Sequence, residues 1–265
     1  MATVVVSDDV EVFYSDHGRG PSVLMLHGWT CDGADWSWLA GDLAEDHRVV
    51  VPDLRGHGRS TRTVDGYGAR TLADDMVLLL GHLTIEHAVV VGHSMGAIVA
   101  SVMAVEHPDM VSALVLVDPK YGLPDARAES LTVAMKLDPL KTARGIFEGF
   151  YAAESPLWQR VWHDRRLHGM PDSDTAAVFF AMFGSDTLGR RSVAEAYLAR
   201  RKCPILAIYS GIAMEAAEWE RSLGHGPQDQ IHVWTGAGHF LHQERPEEFA
   251  RLVRDWLCQF HNSDA

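Results

Sequence analysis

Apolar residues along this chain form short continuous runs that alternate with longer, helix-like stretches. Six runs have the length and composition of strands buried on both faces of a parallel sheet: 22–26, 48–53, 87–91, 113–118, 204–209 and 231–234. Amphipathic or buried helical patterns fall between and after them: 36–45, 71–83, 97–106 and 246–260. The segments 4–6 and 10–14 predict a hairpin at a sheet edge. This alternation predicts an α/β fold, with a mostly parallel sheet covered by helices on both faces.

One long segment, from residue 120 to 202, lacks any core-strand pattern and is rich in aromatic residues and methionine. It predicts three or four helices, inserted as a cap after the sixth strand. We therefore expect a core made of residues 1–119 and 203–265. Most of the cap aromatics should pack the cap against the core, while a few should line a pocket. The candidates for that second role are Trp158, Trp162 and Phe183.

Composition narrows the possible partners and the compartment. Among 265 residues the formal net charge is −13, which argues against nucleic acid or an anionic membrane as partner. Only three, widely spaced cysteines occur, so a disulfide framework or zinc site is not expected. The first residues lack a signal-peptide pattern and no 18-residue apolar stretch exists, which predicts a cytoplasmic protein. We expect a small-molecule substrate, no metal and no cofactor; the oligomeric state stays open, a homodimer included.

The most informative stretch is a strand, a G-x-S-x-G pentapeptide and a buried helix in direct succession. The pentapeptide is Gly92-His93-Ser94-Met95-Gly96. In this context the serine is predicted to occupy a strained turn that lifts its hydroxyl above the sheet edge. The two glycines are expected because a Cβ would strike the neighbouring strand or helix. Ser94 is therefore the candidate nucleophile.

With three further motifs, the chain resembles the α/β-hydrolase superfamily over nearly its whole length. Those motifs are His27-Gly28-Trp29, Asp53-Leu54-Arg55-Gly56-His57-Gly58-Arg59-Ser60 and Gly236-Ala237-Gly238-His239. The resemblance implies an eight-stranded sheet and a catalytic base at His239. It also implies an oxyanion hole formed by the backbone N–H groups of Trp29 and Met95, with the Trp29 side chain shaping the substrate pocket. His27 and His93 would be packing residues next to the site.

The acidic member of the catalytic triad departs from the family's commonest pattern. The expected aspartate after the strand at 204–209 is replaced by Met214. Asp118, at the end of the preceding strand, is the favoured substitute, because a strand end fixes geometry well. Glu215, one residue past the usual position, is the alternative acid.

Three reactions remain in view. The first is hydrolysis of a small, largely apolar carboxylic ester or lactone through an acyl-enzyme on Ser94. The second is a cofactor-independent dioxygenase reaction on a hydroxylated heteroaromatic, carried by the His239–Asp118 pair, since those enzymes share a similar strand-end aspartate. The third is perhydrolysis. A non-enzymatic receptor is disfavoured because Ser94 and His239 are both in place, and a dehalogenase because it needs a carboxylate at position 94.

Overall fold

The computed structural model describes residues 2–224 and 226–261, so the outermost residues of the predicted core, Met1 and 262–265, lie outside it. Within the described residues, eight strands form a single sheet. They are β1 (Ala2–Ser7), β2 (Val10–His17), β3 (Ser22–Leu26), β4 (Arg48–Pro52), β5 (Ala88–His93), β6 (Val111–Val117), β7 (Ile205–Ser210) and β8 (Gln230–Trp234). The mostly parallel eight-stranded sheet predicted from the sequence is confirmed.

The strand order places the two chain segments of the core side by side. It runs β1-β2-β4-β3-β5-β6-β7-β8, and β1–β2 and β2–β4 are the antiparallel pairs. The central strands β3, β5, β6 and β7 are parallel neighbours, with Leu26 opposite Gly92 and His93 opposite Val117. Parallel neighbours end at the same edge of a sheet, so the residues that follow β3, β5 and β6 meet there.

Helices cover both faces of this sheet. They are α1 (Ser37–Leu43), α2 (Ala69–His82), α3 (Met95–Glu106), α4 (Asp125–Leu137), α5 (Pro139–Glu148), α6 (Leu157–Gly169), α7 (Asp172–Phe183), α8 (Arg191–Leu198), α9 (Met214–Arg221), α10 (Leu241–Glu244) and α11 (Pro246–His261). None of the helices in the described part of the chain is both long and apolar enough to cross a membrane.

The buried strands contribute side chains to two separate apolar cores, one on each face of the sheet. In β3, Leu24 packs into the core that also holds residues of α2, α3 and the cap, whereas Met25 packs into the core that holds Trp36 and Trp256. Both residues are fully buried. Successive strand side chains point to opposite faces, so a strand with apolar residues at every position requires a helix layer on each side.

The insertion between β6 and β7 differs from the prediction in its helix count. It contains five helices, α4 to α8, where the sequence indicated three or four. Short non-helical segments such as 150–156 and 184–190 separate some of them. Two other elements also shifted. The helix expected over 36–45 is a 3₁₀ turn (Gly33–Trp36) followed by α1, and α9 was not predicted.

Candidate active site

Ser94 lies in a sharp turn between β5 and α3. Its backbone has φ 53° and ψ −109°, a region that a residue with a side chain occupies only at a cost of about 1–3 kcal/mol. The turn is possible because both flanking glycines lack a Cβ. A Cβ on Gly92 would collide with the carbonyl oxygen of Gly96, and one on Gly96 would collide with that of Leu26. The amide of Ser94 donates to the Val117 carbonyl at 2.9 Å, which ties the turn to β6.

His239 and Asp118 form a buried pair beside this turn. His239 follows β8 in a loop, and its Nδ1 lies 2.5 Å from Oδ2 of Asp118. Asp118 directly follows β6, where its amide donates to the Ile208 carbonyl at 2.8 Å. The His239 amide donates to the Phe150 carbonyl at 2.7 Å, and the imidazole packs on the Phe150 ring at 4.0 Å between centroids. The imidazole is therefore fixed by the core on one side and by the cap on the other.

The Asp118 carboxylate accepts hydrogen bonds at both oxygens. Oδ1 accepts from the amide and the hydroxyl of Ser210, at 2.8 and 2.9 Å. Oδ2 accepts from His239 and from Nζ of Lys120, the latter at 2.7 Å. Burial alone would raise the pKa of the Asp118 carboxyl, but the Lys120 ammonium and the His239 hydrogen bond outweigh it and hold that pKa far below its usual range. Asp118 is thus a carboxylate at every pH of interest.

Lys120 was missed at the sequence level. It belongs to no motif, and a lysine in a loop is ordinarily a solvated surface residue. Here its side chain is only 18% exposed and lines the same cavity as Ser94 and His239. Burial lowers the pKa of His239, the Lys120 ammonium lowers it further, and the Asp118 carboxylate only partly offsets both. His239 is therefore a neutral imidazole at pH 7.

Glu215, the alternative acid, lies elsewhere. It is in the first turn of α9, its side chain is 74% exposed, and its Oε1 lies 3.4 Å from the Arg191 guanidinium. It lines the outer part of the cavity. Met214, in the position where the family carries an aspartate, is 58% exposed. Asp118, and not Glu215, is the carboxylate that contacts His239.

The predicted oxyanion loop follows β3 and lies against Ser94. A Cβ added to Gly28 would come within 3.3 Å of the Ser94 Cβ, so this loop passes directly beside the serine. Trp29 lines the cavity, but its indole N–H donates to the Thr175 carbonyl of α7 at 3.1 Å. This hydrogen bond ties the oxyanion loop to the cap. Met95, whose amide is the other expected donor, is buried at the first position of α3.

Three further histidines pack around the site as neutral rings. His27 donates from Nδ1 to the Gly28 carbonyl at 2.8 Å and accepts the Leu54 amide at Nε2 at 2.9 Å, which only a neutral imidazole can do. Burial lowers the pKa of His27 to about 4. His93 lies against His239, with Nε2 3.1 Å from its carbonyl oxygen, and burial lowers its pKa as well. His57 is held through Nδ1 by the Arg55 carbonyl at 3.0 Å.

A cavity of about 660 Å³ opens over Ser94 and His239. Its inner wall is largely aromatic and aliphatic side chains, among them Trp29, Phe147, Phe150, Phe179, Met182 and Phe183. Two of the predicted pocket residues do not line it. Trp158 is 51% exposed on α6, and Trp162 lines a second, smaller depression beside Arg166. Both lie on α6, whose buried residues are instead Gln159, His163 and Leu167, and the helical pattern of the sequence did not distinguish these faces.

Comparison with known proteins identifies the family. The family model for the alpha/beta hydrolase fold matches residues 21–175, and the chain therefore belongs to the α/β-hydrolase family. A solved structure described as an N-acyl homoserine lactone degrading enzyme is similar, with 26% identity, a TM-score of 0.83, and coverage of 96% of this chain and 99% of the other.

Two partial sequence matches show how varied the activities of similar proteins are. The bifunctional esterase/perhydrolase of Acinetobacter calcoaceticus is 37% identical over 121 residues, 44% of each chain. The soluble epoxide hydrolase of a Corynebacterium species is 36% identical over 110 residues, 42% of this chain and 38% of that protein. Esterase, lactonase and epoxide hydrolase activities thus occur among proteins similar to this one.

No group of three or more His, Cys, Asp or Glu residues within the described ranges could hold a metal ion.

Proposed function

We propose that this protein hydrolyses a carboxylic ester or lactone through an acyl-enzyme on Ser94. The observation that carries the proposal is that His239, hydrogen-bonded to the buried Asp118, lines the same cavity as Ser94. Ser94 itself is held in a strained strand-to-helix turn. A serine hydroxyl is a poor nucleophile at neutral pH and needs a neutral base that is oriented by a third group. The Nδ1–H of His239 donates a hydrogen bond to Asp118, so the lone pair on Nε2 is left to accept the serine proton.

The chemistry proceeds in two balanced halves. Ser94 Oγ attacks the substrate carbonyl and passes its proton to His239; the resulting oxyanion accepts hydrogen bonds from the amides of Trp29 and Met95. Collapse breaks the bond to the alcohol, which leaves with the proton from His239. Water then attacks the acyl-enzyme and gives a proton to His239. The bond to Ser94 Oγ breaks, Oγ takes that proton back from His239, and the acid is released. Asp118 keeps its negative charge throughout and stabilises the imidazolium that forms twice in each cycle.

The substrate in this proposal is small and largely apolar near the ester. The cavity wall over Ser94 is formed by Phe147, Phe150, Phe179 and Phe183, which suits an aliphatic or aromatic acyl or alcohol part. A similar structure is described as degrading a lactone, which supports the inclusion of cyclic esters.

Perhydrolysis is a second candidate, favoured by one comparison. It differs only in the second half, where hydrogen peroxide in place of water attacks the acyl-enzyme and releases a peracid. The bifunctional esterase/perhydrolase is similar to this chain over 121 residues. Supplying peroxide together with an ester and measuring peracid against free acid separates the two reactions.

Replacing the nucleophile tests the proposal. Ser94→Ala should lower ester hydrolysis by about 10³-fold or more, because triad members act as a unit. A fluorophosphonate probe should label the wild-type protein at Ser94 and leave the variant unlabelled. Ser101, buried on α3 away from the cavity, offers a matched control, and Ser101→Ala should keep both activity and labelling.

The dioxygenase alternative gives the opposite result. In that reaction His239 removes a proton from a hydroxyl-bearing heteroaromatic, and the serine only assists. Turnover of such a substrate with oxygen uptake, retained in Ser94→Ala and lost in His239→Ala, would replace hydrolysis as the function.

A further inference from the structure

The charge of the cavity contrasts with the charge of the chain. The whole sequence carries −13, yet four cationic side chains line the cavity against two acidic ones. The cations are Lys120, Arg127, Lys141 and Arg191, and the acids are Asp138 and Glu215. A positive cleft in an acidic protein attracts anions and repels cations by its local field, whatever the net charge is.

Four of these six charges already have a partner, Lys120 among them through its ion pair with Asp118. Arg191 and Glu215 face each other at 3.4 Å, and Asp138 caps α5 by accepting the Lys141 amide at 3.0 Å. The side chains of Arg127 and Lys141 have no hydrogen bond or ion pair within residues 2–224 and 226–261. They leave two exposed positive charges on α4 and α5 at the cavity rim.

Lys120 is the cation that lies deepest. It donates one hydrogen bond, to Asp118 Oδ2, and its two other N–H groups have no partner among the described residues. The two distances to Asp118 Oδ2 place its Nζ at most about 5 Å from Nδ1 of His239. The ring centroid of Phe150 lies 5.7 Å from Nζ, so the ammonium faces a largely apolar wall.

Lys120 shares the Asp118 carboxylate with His239, so whenever His239 is protonated one negative charge faces two positive charges. Ser210 and His239 already donate to both Asp118 oxygens, and the Lys120 ammonium adds a further contact that lowers the pKa of that carboxyl. The ammonium also opposes the formation of imidazolium on His239, which both halves of the proposed reaction require. A negative group of the substrate, bound to the two spare N–H groups, would balance the second positive charge and weaken that opposition.

We infer that the substrate is an ester or lactone that carries a second, anionic group, a free carboxylate, which binds Lys120. The inference rests on the proposed function, because it names the substrate class of the same site. A carboxylate offers two oxygens to the two spare N–H groups, and the rim charges of Arg127 and Lys141 draw it into the cavity. Bound there, it strengthens substrate binding and also raises kcat, because its charge balances the second cation when His239 takes up a proton.

Matched substrate pairs test the inference. Mono-p-nitrophenyl adipate and p-nitrophenyl hexanoate differ only in a terminal carboxylate on the acyl chain. The butanoate ester of 6-hydroxyhexanoate and hexyl butanoate place the same difference on the alcohol. The wild-type protein should favour the carboxylated member of at least one pair by roughly tenfold or more in kcat/KM, with part of the gain in kcat.

Four variants connect that preference to the residues. Lys120→Met should abolish it, and Lys120→Arg should keep a part of it. Lys141→Gln should lower it by about twofold, because an exposed charge is screened. Lys136→Gln, on α4 but outside the cavity lining, is the matched control and should leave the preference unchanged. The preference is a ratio within one variant, so a general loss of activity cancels.

The outcomes separate this inference from the proposed function. If both members of each pair are hydrolysed equally well, or the preference survives Lys120→Met, the carboxylate inference is wrong and hydrolysis stands. If the wild type hydrolyses neither pair, hydrolysis fails, and calorimetry on Ser94→Ala decides the rest. If Ser94→Ala binds the adipate ester more tightly than the hexanoate ester, and the Ser94→Ala/Lys120→Met double variant does not, the anion site is supported. Equal binding of the two esters by Ser94→Ala would overturn it.

Discussion

Replacing Asp118 by asparagine should inactivate the enzyme, and the structure dictates how. The amide oxygen of the introduced asparagine must occupy the Oδ1 position, because the amide and hydroxyl of Ser210 both donate there, at 2.8 and 2.9 Å. The new NH₂ group then falls at the Oδ2 position. It would face two donors, Nδ1–H of His239 and the Lys120 ammonium, where the wild type has an acceptor.

The imidazole can relieve this conflict only by changing tautomer. Nδ1 then accepts from the asparagine, Nε2 carries the proton, and no lone pair is left to take the proton of Ser94. The loss of the negative charge also leaves the Lys120 ammonium unopposed beside any imidazolium that forms. The expected fall in kcat for Asp118→Asn is about 10⁴-fold, the size known for the wrong tautomer in a catalytic triad.

The assay is steady-state hydrolysis of one activated ester by Asp118→Asn and Glu215→Gln, with thermal unfolding as the folding control. Glu215→Gln should change kcat by less than about twofold, because its side chain is 74% exposed and pairs with Arg191 rather than with His239. Near-normal activity of a folded Asp118→Asn protein would refute the reasoning. If Glu215→Gln were the inactive variant, the acid would follow the commoner family topology, and if both were active, a Ser–His dyad would suffice.

Three further expectations follow from burial and charge. The acid limb of the kcat/KM–pH profile should have its midpoint below 6.5, since burial and Lys120 lower the pKa of His239, and Lys120→Met should move it upward; a wild-type midpoint at or above 6.5 would count against this. The free energy of unfolding should fall as the pH drops below 6.5. In the folded protein burial lowers the pKa values of His27 and His57 to about 4 and 3, so both rings stay neutral while the same residues bind protons in the unfolded chain. An unchanged melting temperature between pH 7 and 5 would contradict this expectation. Phe183→Ala should alter kcat/KM unequally across acyl sizes, by roughly 1–3 kcal/mol, whereas Trp158→Ala, on an exposed side chain, should not discriminate among them.

The core could be predicted from the sequence because its strands and the serine turn follow from residues that are close together in the chain. Apolar runs of five or six residues mark strands buried on both faces. The G-x-S-x-G turn requires a glycine two residues before and two residues after the serine, here Gly92 and Gly96. The position of Asp118 also followed from a local rule, since the residue after a parallel strand lies at the sheet edge. These features depend on neighbours in the chain or on directly paired strands.

The cap resisted the same reasoning because its helices are placed by tertiary contacts. Trp158 and Trp162 look like pocket residues in the sequence, yet α6 turns Gln159 and His163 inward instead. Lys120 carries no sequence signal, because its role depends on the 2.7 Å contact with Asp118 that the fold creates. The cytoplasmic location and the absence of nucleic-acid and membrane partners stay predictions, and the oligomeric state stays open.

The site of the triad acid has a consequence for specificity. An acid after β7 would lie on the loop that leads into α9, a helix of the second core segment. Asp118 after β6 lies instead at the start of the segment that leads through Lys120 and Gly122 into the first cap helix. Asp118, which orients His239, and the cavity-lining residues 119–124 therefore share one short stretch of chain. A substitution in residues 119–124 should change substrate preference and the basicity of His239 together, so changes in this stretch are expected to be coupled rather than additive.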